Sequence, residues 1–496
     1  MGDSMGLVNI ALPEWRLDAR SSSATQTMKR NSFLAMSLLA AAVMLCGAPR
    51  VGAQGNDPAK SAESDVKFIQ APGPAQAAAP TTVTLADALE RARKLDPTLT
   101  GAASDAKSAR EDRIQARNAM LPTMTATSQY LNTEGNGGRV SDGRFVTNDG
   151  VHIYRDWAIV HMDLSPGLLM GTGFTRAKAA EAIANAKAEI ARRGLNVTVT
   201  KSYYGLVVAQ RKYATAQAGL DQAAHFMKGT QDSEKQGQAA HSDAVKAEIQ
   251  YRIQKQAYDE ARFAMEDARL GLAVILFPDF NENFTVVDDL DSAPALPPFA
   301  EVQEMAEKQN PDMRVALETS REAELDVKLA KTAFLPTITV DTDMGIEANC
   351  FALHCTRAAF PEVGPLPNLG YFLTAALTVP VWDWGTLRSK LHQAEYKQQS
   401  AKAAMTQAQR MDISELYATY DEAMVAKGAL DEARQTAELA TEGLRLTNLR
   451  YEGGASPASE VVDAETSLVT ARNAYADAQV RYRTLLATLQ TFTGNF

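Results

Sequence analysis

Two periodicities divide this chain. Ile338, Val340 and Met344 interleave with Thr337, Thr339, Asp341 and Asp343. Tyr371, Leu373, Ala375, Leu377 and Val379 interleave in the same way with Phe372, Thr374, Ala376 and Thr378. A period of two puts alternate residues on opposite faces, so these segments predict strands with one apolar and one more polar face. Elsewhere the period lengthens. Leu468, Ala471, Tyr475, Ala478, Tyr482, Leu485, Leu489 and Phe492 step by three and four without a break. Tyr251, Gln254, Tyr258, Ala261, Met265, Ala268, Leu272 and Ile275 take the same steps 217 residues earlier. The helix before the later list carries Ala433, Ala437, Ala440, Leu444, Thr447 and Tyr451 in the same register. A heptad held over this length predicts helix pairs packed as coiled coils, and its many alanines let the axes approach closely.

The chain is also written twice. Asp96-Pro97, Leu121-Pro122-Thr123, Pro166 and Gly171-Thr172 recur 214 residues later as Asn310-Pro311, Leu335-Pro336-Thr337, Pro380 and Gly385-Thr386. Further on the offset is 217, with Gly237 matching Gly454, Asp243 matching Glu460 and Ala247 matching Ala464. The second copy has therefore gained three residues, which the landmarks put near the turn between its two long helices. A fixed offset sets the architecture. Repeat 1 spans 83–277 and repeat 2 spans 299–496, with 278–298 between them. Each opens with a short helix at Leu85 or Phe299, then a second from Pro97 or Pro311, proline being favoured in a first helical turn. Leu-Pro ends that helix. A hairpin follows, 123–165 or 337–380, around the loops 134–150 and 347–368. Long helices come next, over 169–236 and 240–277, then 385–452 and 456–492. At ~1.5 Å per residue the longest reach roughly 100 Å, far beyond a globular helix.

A soluble sandwich also alternates, so the strand pattern alone leaves both readings open. Two isolated hairpins form no stable core, and in lipid their edges must be closed. Four strands per chain therefore predict a barrel shared with other copies.

Residues 28–53 read as a secretory signal: Met28-Lys29-Arg30, an apolar stretch from Phe33 to Cys46, then Val51-Gly52-Ala53 before a cleavage at Gln54. A translation start at Met28 fits this reading. Cys46 as a lipid-anchor cysteine is the alternative, against which stands the bulky Leu45. Residues 54–82 are a flexible linker. Cleavage would leave Cys350 and Cys355, either a disulfide suited to an oxidising compartment or two loop thiols. The chain has 50 basic and 60 acidic residues, net charge −10, which argues against nucleic-acid binding.

Several segments, in order and in duplicate, carry a family likeness over about residues 83–494. They are Leu85-Ala86-Asp87-Ala88-Leu89 before Asp96-Pro97; Ala116-Arg117 before Leu121-Pro122; Val379-Pro380-Val381-Trp382-Asp383-Trp384-Gly385; and Tyr451-Glu452-Gly453-Gly454-Ala455-Ser456 before Val462-Asp463-Ala464. With them the chain resembles the TolC family of outer-membrane efflux proteins. The resemblance implies a mainly α fold with a membrane β-barrel, in a homotrimer of twelve strands whose helices form a periplasmic tunnel. It implies a location in the outer membrane, in contact with its lipid, and no enzymatic activity or cofactor. The implied partners are a periplasmic adaptor and an inner-membrane pump, of the resistance-nodulation-division or ABC type. The expected function is the exit duct of a tripartite efflux pump for small molecules. The alternatives are the duct of a type I protein secretion system and a periplasmic coiled-coil scaffold without a pore.

By the same resemblance Glu460 and Asp463 occupy the acidic constriction at the periplasmic mouth. Three copies would set six carboxylates around one axis, attracting cations and raising some carboxylate pKa values. Read without the family, they are two solvated acids favoured by a helix start. Tyr451 and Asp243 match positions that link the helix pairs of closed relatives, but Ser456 stands where an arginine is expected.

Other chemistry is sparse. The six histidines form no metal pair at helical spacing. His354 between the cysteines leaves a loop metal site conceivable beside the disulfide. No phosphate-loop or nucleophile-elbow pattern occurs. Trp382 and Trp384 fit either an interfacial belt or simple packing.

Overall fold

Local chemistry starts each repeat. Asp87 N–H donates to the Thr84 hydroxyl while Thr84 N–H donates to Asp87, a reciprocal cap. Asp96 accepts from Leu99 N–H at 2.6 Å and Asn310 from Asp312 N–H at 2.9 Å, each just before a proline in the first turn. The computed structural model describes residues 81–132, 152–237, 240–278, 283–292, 294–348, 351–353, 356–357, 365–366, 368–453 and 455–494. The signal at 28–53, nearly all of the 54–82 linker, the 134–150 loop and Cys46, Cys350, His354 and Cys355 lie outside them.

In chain order the elements are β1 (Thr81–Val83), α1 (Leu85–Leu95), α2 (Pro97–Asn118), β2 (Thr123–Asn132), β3 (His152–Asp163), α3 (Pro166–Leu169), α4 (Thr172–Lys235) and α5 (His241–Leu276). Then come β4 (Phe284–Val286), a 3-10 turn (Leu290–Ser292), α6 (Phe299–Gln309), α7 (Pro311–Thr332), β5 (Thr337–Ala348), β6 (Thr356–Arg357), β7 (Pro365–Leu366), β8 (Leu369–Thr378), α8 (Thr386–Glu452) and α9 (Ala458–Thr493). The small β6–β7 pair sits inside the 347–368 segment that the sequence reads as loop.

The two hairpins join in one antiparallel sheet of order β2-β3-β5-β8. Its register sorts the side chains. On one face Gln129 is opposite Arg155, Arg155 opposite Glu347, His161 opposite Asp341 and Asp341 opposite Thr374. Arg155 reaches Glu347 at 2.7 Å and His161 reaches Asp341 at 2.5 Å. On the other face lie Met124 opposite Val160, Met162 opposite Val340, Met344 opposite Tyr371, and Leu377 opposite Ile338. Gly345 is required where β3 and β5 approach, since a Cβ there would lie 1.9 Å from the Asp156 carbonyl oxygen. Among the described residues β2 and β8 have no outer partner strand, so both sheet edges are open.

Next to the sheet α2, α4, α7 and α8 pack side by side in that order; at the other end the order is α5, α4, α9, α8. Only α4 and α8 run through both bundles. Between the bundles Tyr203, Leu206, Leu272, Val83 and Phe284 form one core, and Val302, Leu416, Tyr420, Leu489 and Phe492 another. The Tyr203 hydroxyl donates to Val287 O at 2.8 Å and accepts from Val287 N–H at 3.0 Å, and burial pushes its phenol up to about 12. Tyr420 donates to Pro297 O at 2.9 Å.

These tyrosines relocate the three added residues. Helix α4 has 64 residues and α8 has 67, while α5 and α9 both have 36. The turns 236–240 and 453–457 are equally long. Tyr203 and Tyr420 already stand 217 apart, so the insertion lies inside the upper part of α8 and not near the turn. A long helix absorbs three residues as slightly less than one turn, and no sequence landmark falls between the two offsets.

Candidate functional site

The bundle end far from the sheet carries the turn between α8 and α9. Gly453 N–H caps Leu449 O at 3.1 Å, and Ala455 N–H returns to Arg450 O at 2.8 Å. Pro457 is the N-cap of α9 and makes no side-chain cap. Glu460, three residues on, has the position from which a glutamate normally bonds the N-cap N–H. Proline has none, so the carboxylate turns to the preceding residue: the buried Ser456 hydroxyl donates to Glu460 Oε2. Arg450 Nη1 lies 3.6 Å from the same oxygen. Ser456, at the position where the resemblance expects an arginine, thus holds Glu460, and the cation comes from Arg450 at the base of the turn. Asp463, one turn further along α9, is exposed, and among the described residues no cation pairs with it.

Tyr451 is half-buried and packs on Phe226 of α4, with ring centroids 5.5 Å apart. Asp243 sits half-buried in the first turn of α5. The protomer does not bring Tyr451 and Asp243 together; each lies at its own turn. Across the first turn His241 Nδ1 and Glu234 Oε1 lie 2.7 Å apart.

One group at this end escaped the sequence reading. Glu465 is 6 % exposed and its Oε1 has no hydrogen-bond partner. Burial pushes its carboxyl up to about 7, against a smaller downward pull from Gln222. The signal was present: stepping back from Leu468 by three and four gives Glu465 and Val461, so a carboxyl occupies a seam position. Phe226 and Arg450 carried no comparable signal.

At the opposite end of α8, Trp382 and Trp384 pack on each other at 5.6 Å and are otherwise largely exposed, which favours the interfacial reading. Among the described residues no cluster is placed to hold a metal ion, and no helix is long and apolar enough to cross a membrane.

Residues 302–495 match the family model described as outer membrane efflux protein. The chain is 29% identical over 174 residues to the pyoverdine export outer membrane protein OpmQ of Pseudomonas putida, a match covering 34% of each chain. It is 22% identical over 395 residues to the outer membrane protein TolC of Escherichia coli, covering 79% of this chain and 78% of that one. Among solved structures, the open state of the Neisseria gonorrhoeae MtrE outer membrane channel has a TM-score of 0.68 at 23% identity, over 83% of this chain and 89% of that one. The outer-membrane channel OprN has a TM-score of 0.67 at 17% identity, over 83% and 90%.

Proposed function

Since the chain belongs to the TolC-like family of outer membrane efflux proteins, we propose that it is one protomer of a homotrimeric exit duct, which passes small molecules from a tripartite pump across the periplasm and outer membrane. The observation that carries this is the four-stranded sheet: one apolar face, one charged face and two open edges, continuous with helices of roughly 100 Å. Open backbone edges are not tolerated in lipid. Three copies joined edge to edge close them, with the apolar face to lipid and the Arg155, His161, Asp341 face to the lumen. The helices below then enclose a tunnel.

In this reading residues 83–277 and 299–496 are the two repeats of the protomer. An adaptor and an inner-membrane pump dock at the helical end, and the pump supplies the energy. Glu460 and Asp463 line the mouth, and Tyr451 and Asp243 contribute to holding it shut. The relative named for pyoverdine export supports a small-molecule cargo.

The test is fractionation followed by planar-bilayer recording. The protein should extract with outer membranes as a heat-resistant trimer and conduct ions, and replacing Glu460 and Asp463 with alanine should lower its preference for cations. A buffer-soluble monomer without conductance would remove the duct. Conductance with unaltered selectivity would remove only the role of the two acids.

A further inference from the structure

The acidic mouth has a built-in counter-charge. We infer that Arg450 is a selectivity-determining residue: it masks Glu460, leaving Asp463 as the charge that draws cations to the constriction. This deepens the duct reading and rests on it.

Three observations converge on Arg450. Its guanidinium meets Glu460 Oε2 at 3.6 Å, on the oxygen that also accepts from the Ser456 hydroxyl. Its carbonyl is fixed by Ala455 N–H at 2.8 Å, so the turn holds the base of the side chain in place. Asp463 is exposed and has no partner cation among the described residues. Two carboxylates that look equivalent in sequence therefore differ in effective charge.

The first repeat lacks this device. At the 217-residue offset Ser233 replaces Arg450, Asp243 replaces Glu460 and Lys246 replaces Asp463. The pair across that turn is Glu234 with His241. The cation that faces Glu460 is thus a property of the second turn alone. Arg450 and Glu460 are both substantially solvated, so their pairing contributes little to stability. Its consequence is the local potential, which an ion passing the mouth senses over a Debye length of about 10 Å at 0.1 M salt.

The experiment compares cation-to-anion permeability ratios of wild-type trimers and five variants in planar bilayers at 0.1 M and 1 M KCl. Arg450→Gln should raise the ratio about threefold or more at 0.1 M, the effect of one uncompensated unit charge roughly 7 Å from an ion in water, and less at 1 M. Arg450→Lys should keep the wild-type ratio. Glu460→Gln, which leaves the arginine unmatched, should lower it, and the double variant Arg450→Gln/Glu460→Gln should return towards wild type. An Arg450→Gln ratio equal to wild type, while Asp463→Asn still lowers selectivity, overturns the masking and leaves the acidic mouth standing. If neither variant moves the ratio, masking and mouth fall together.

Discussion

Glu465 is an acid in a seam built for apolar side chains, and that placement has a thermodynamic sign. Its folded pKa is raised from 4.5 to about 7 by burial. Below pH 4.5 the carboxyl is protonated in both folded and unfolded chains and costs nothing extra. Between pH 4.5 and 7 the unfolded chain releases the proton while the folded one keeps it, so stability falls as pH rises, by about 3 kcal/mol in all, and levels off above pH 7. Glu465→Gln should abolish that fall. Thermal midpoints of the detergent-solubilised trimer at pH 5 and pH 8 should differ more in wild type than in the variant, and parallel pH profiles would dismiss the effect. Glu465 was readable in the heptad, because a residue's seam position follows from spacing alone. Arg450 was not readable as a partner of Glu460. Ten residues separate them, and only the geometry of the intervening turn decides which solvated cation folds back.

At the level of elements the strands were legible for the same reason that the seam was. Alternation assigns faces, and β5 and β8 place Ile338, Val340 and Met344 with Leu373 and Leu377 on one side and Asp341, Asp343 and Thr374 on the other. What alternation could not supply was the pairing of β3 with β5, which joins the two hairpins into one sheet, because register between distant segments is set by the assembled bundle. Nor could it locate the added residues of α8, since a helix accepts them without a landmark. The face assignment yields a paired prediction on adjacent residues of β8. Leu373→Arg puts a charge on the lipid side, at a cost of about 2–4 kcal/mol near the midplane, and should greatly reduce the heat-resistant trimer recovered from outer membranes. Thr374→Arg points into the lumen, should leave trimer yield near wild type, and should shift selectivity towards anions. Equal yields of the two variants would mean the faces are misassigned.

For the whole molecule, what must be explained is apolar surface that the protomer leaves in water. Helices α5 and α8 are the outer members of the bundle far from the sheet. Val245, Ile249 and Ile253 form a stripe of four-residue steps on α5, and Leu439, Leu446 and Leu449 are exposed on α8. Stripes of this kind mark an interface, and in a closed ring the α5 edge of one protomer faces the α8 edge of the next. The same closure that seals the sheet edges above then covers these side chains below. Burying one isoleucine at such a contact contributes about 1.5–3 kcal/mol. Replacing Ile249 and Ile253 by aspartate should therefore weaken each subunit contact by several kcal/mol while leaving the fold within a protomer intact, since neither side chain belongs to its core. Sedimentation in detergent should show the variant dissociating to monomers at concentrations where wild type stays trimeric, with an unchanged helical circular dichroism spectrum. A variant that stays trimeric over the same dilution range would place the subunit contact on another face of the bundle.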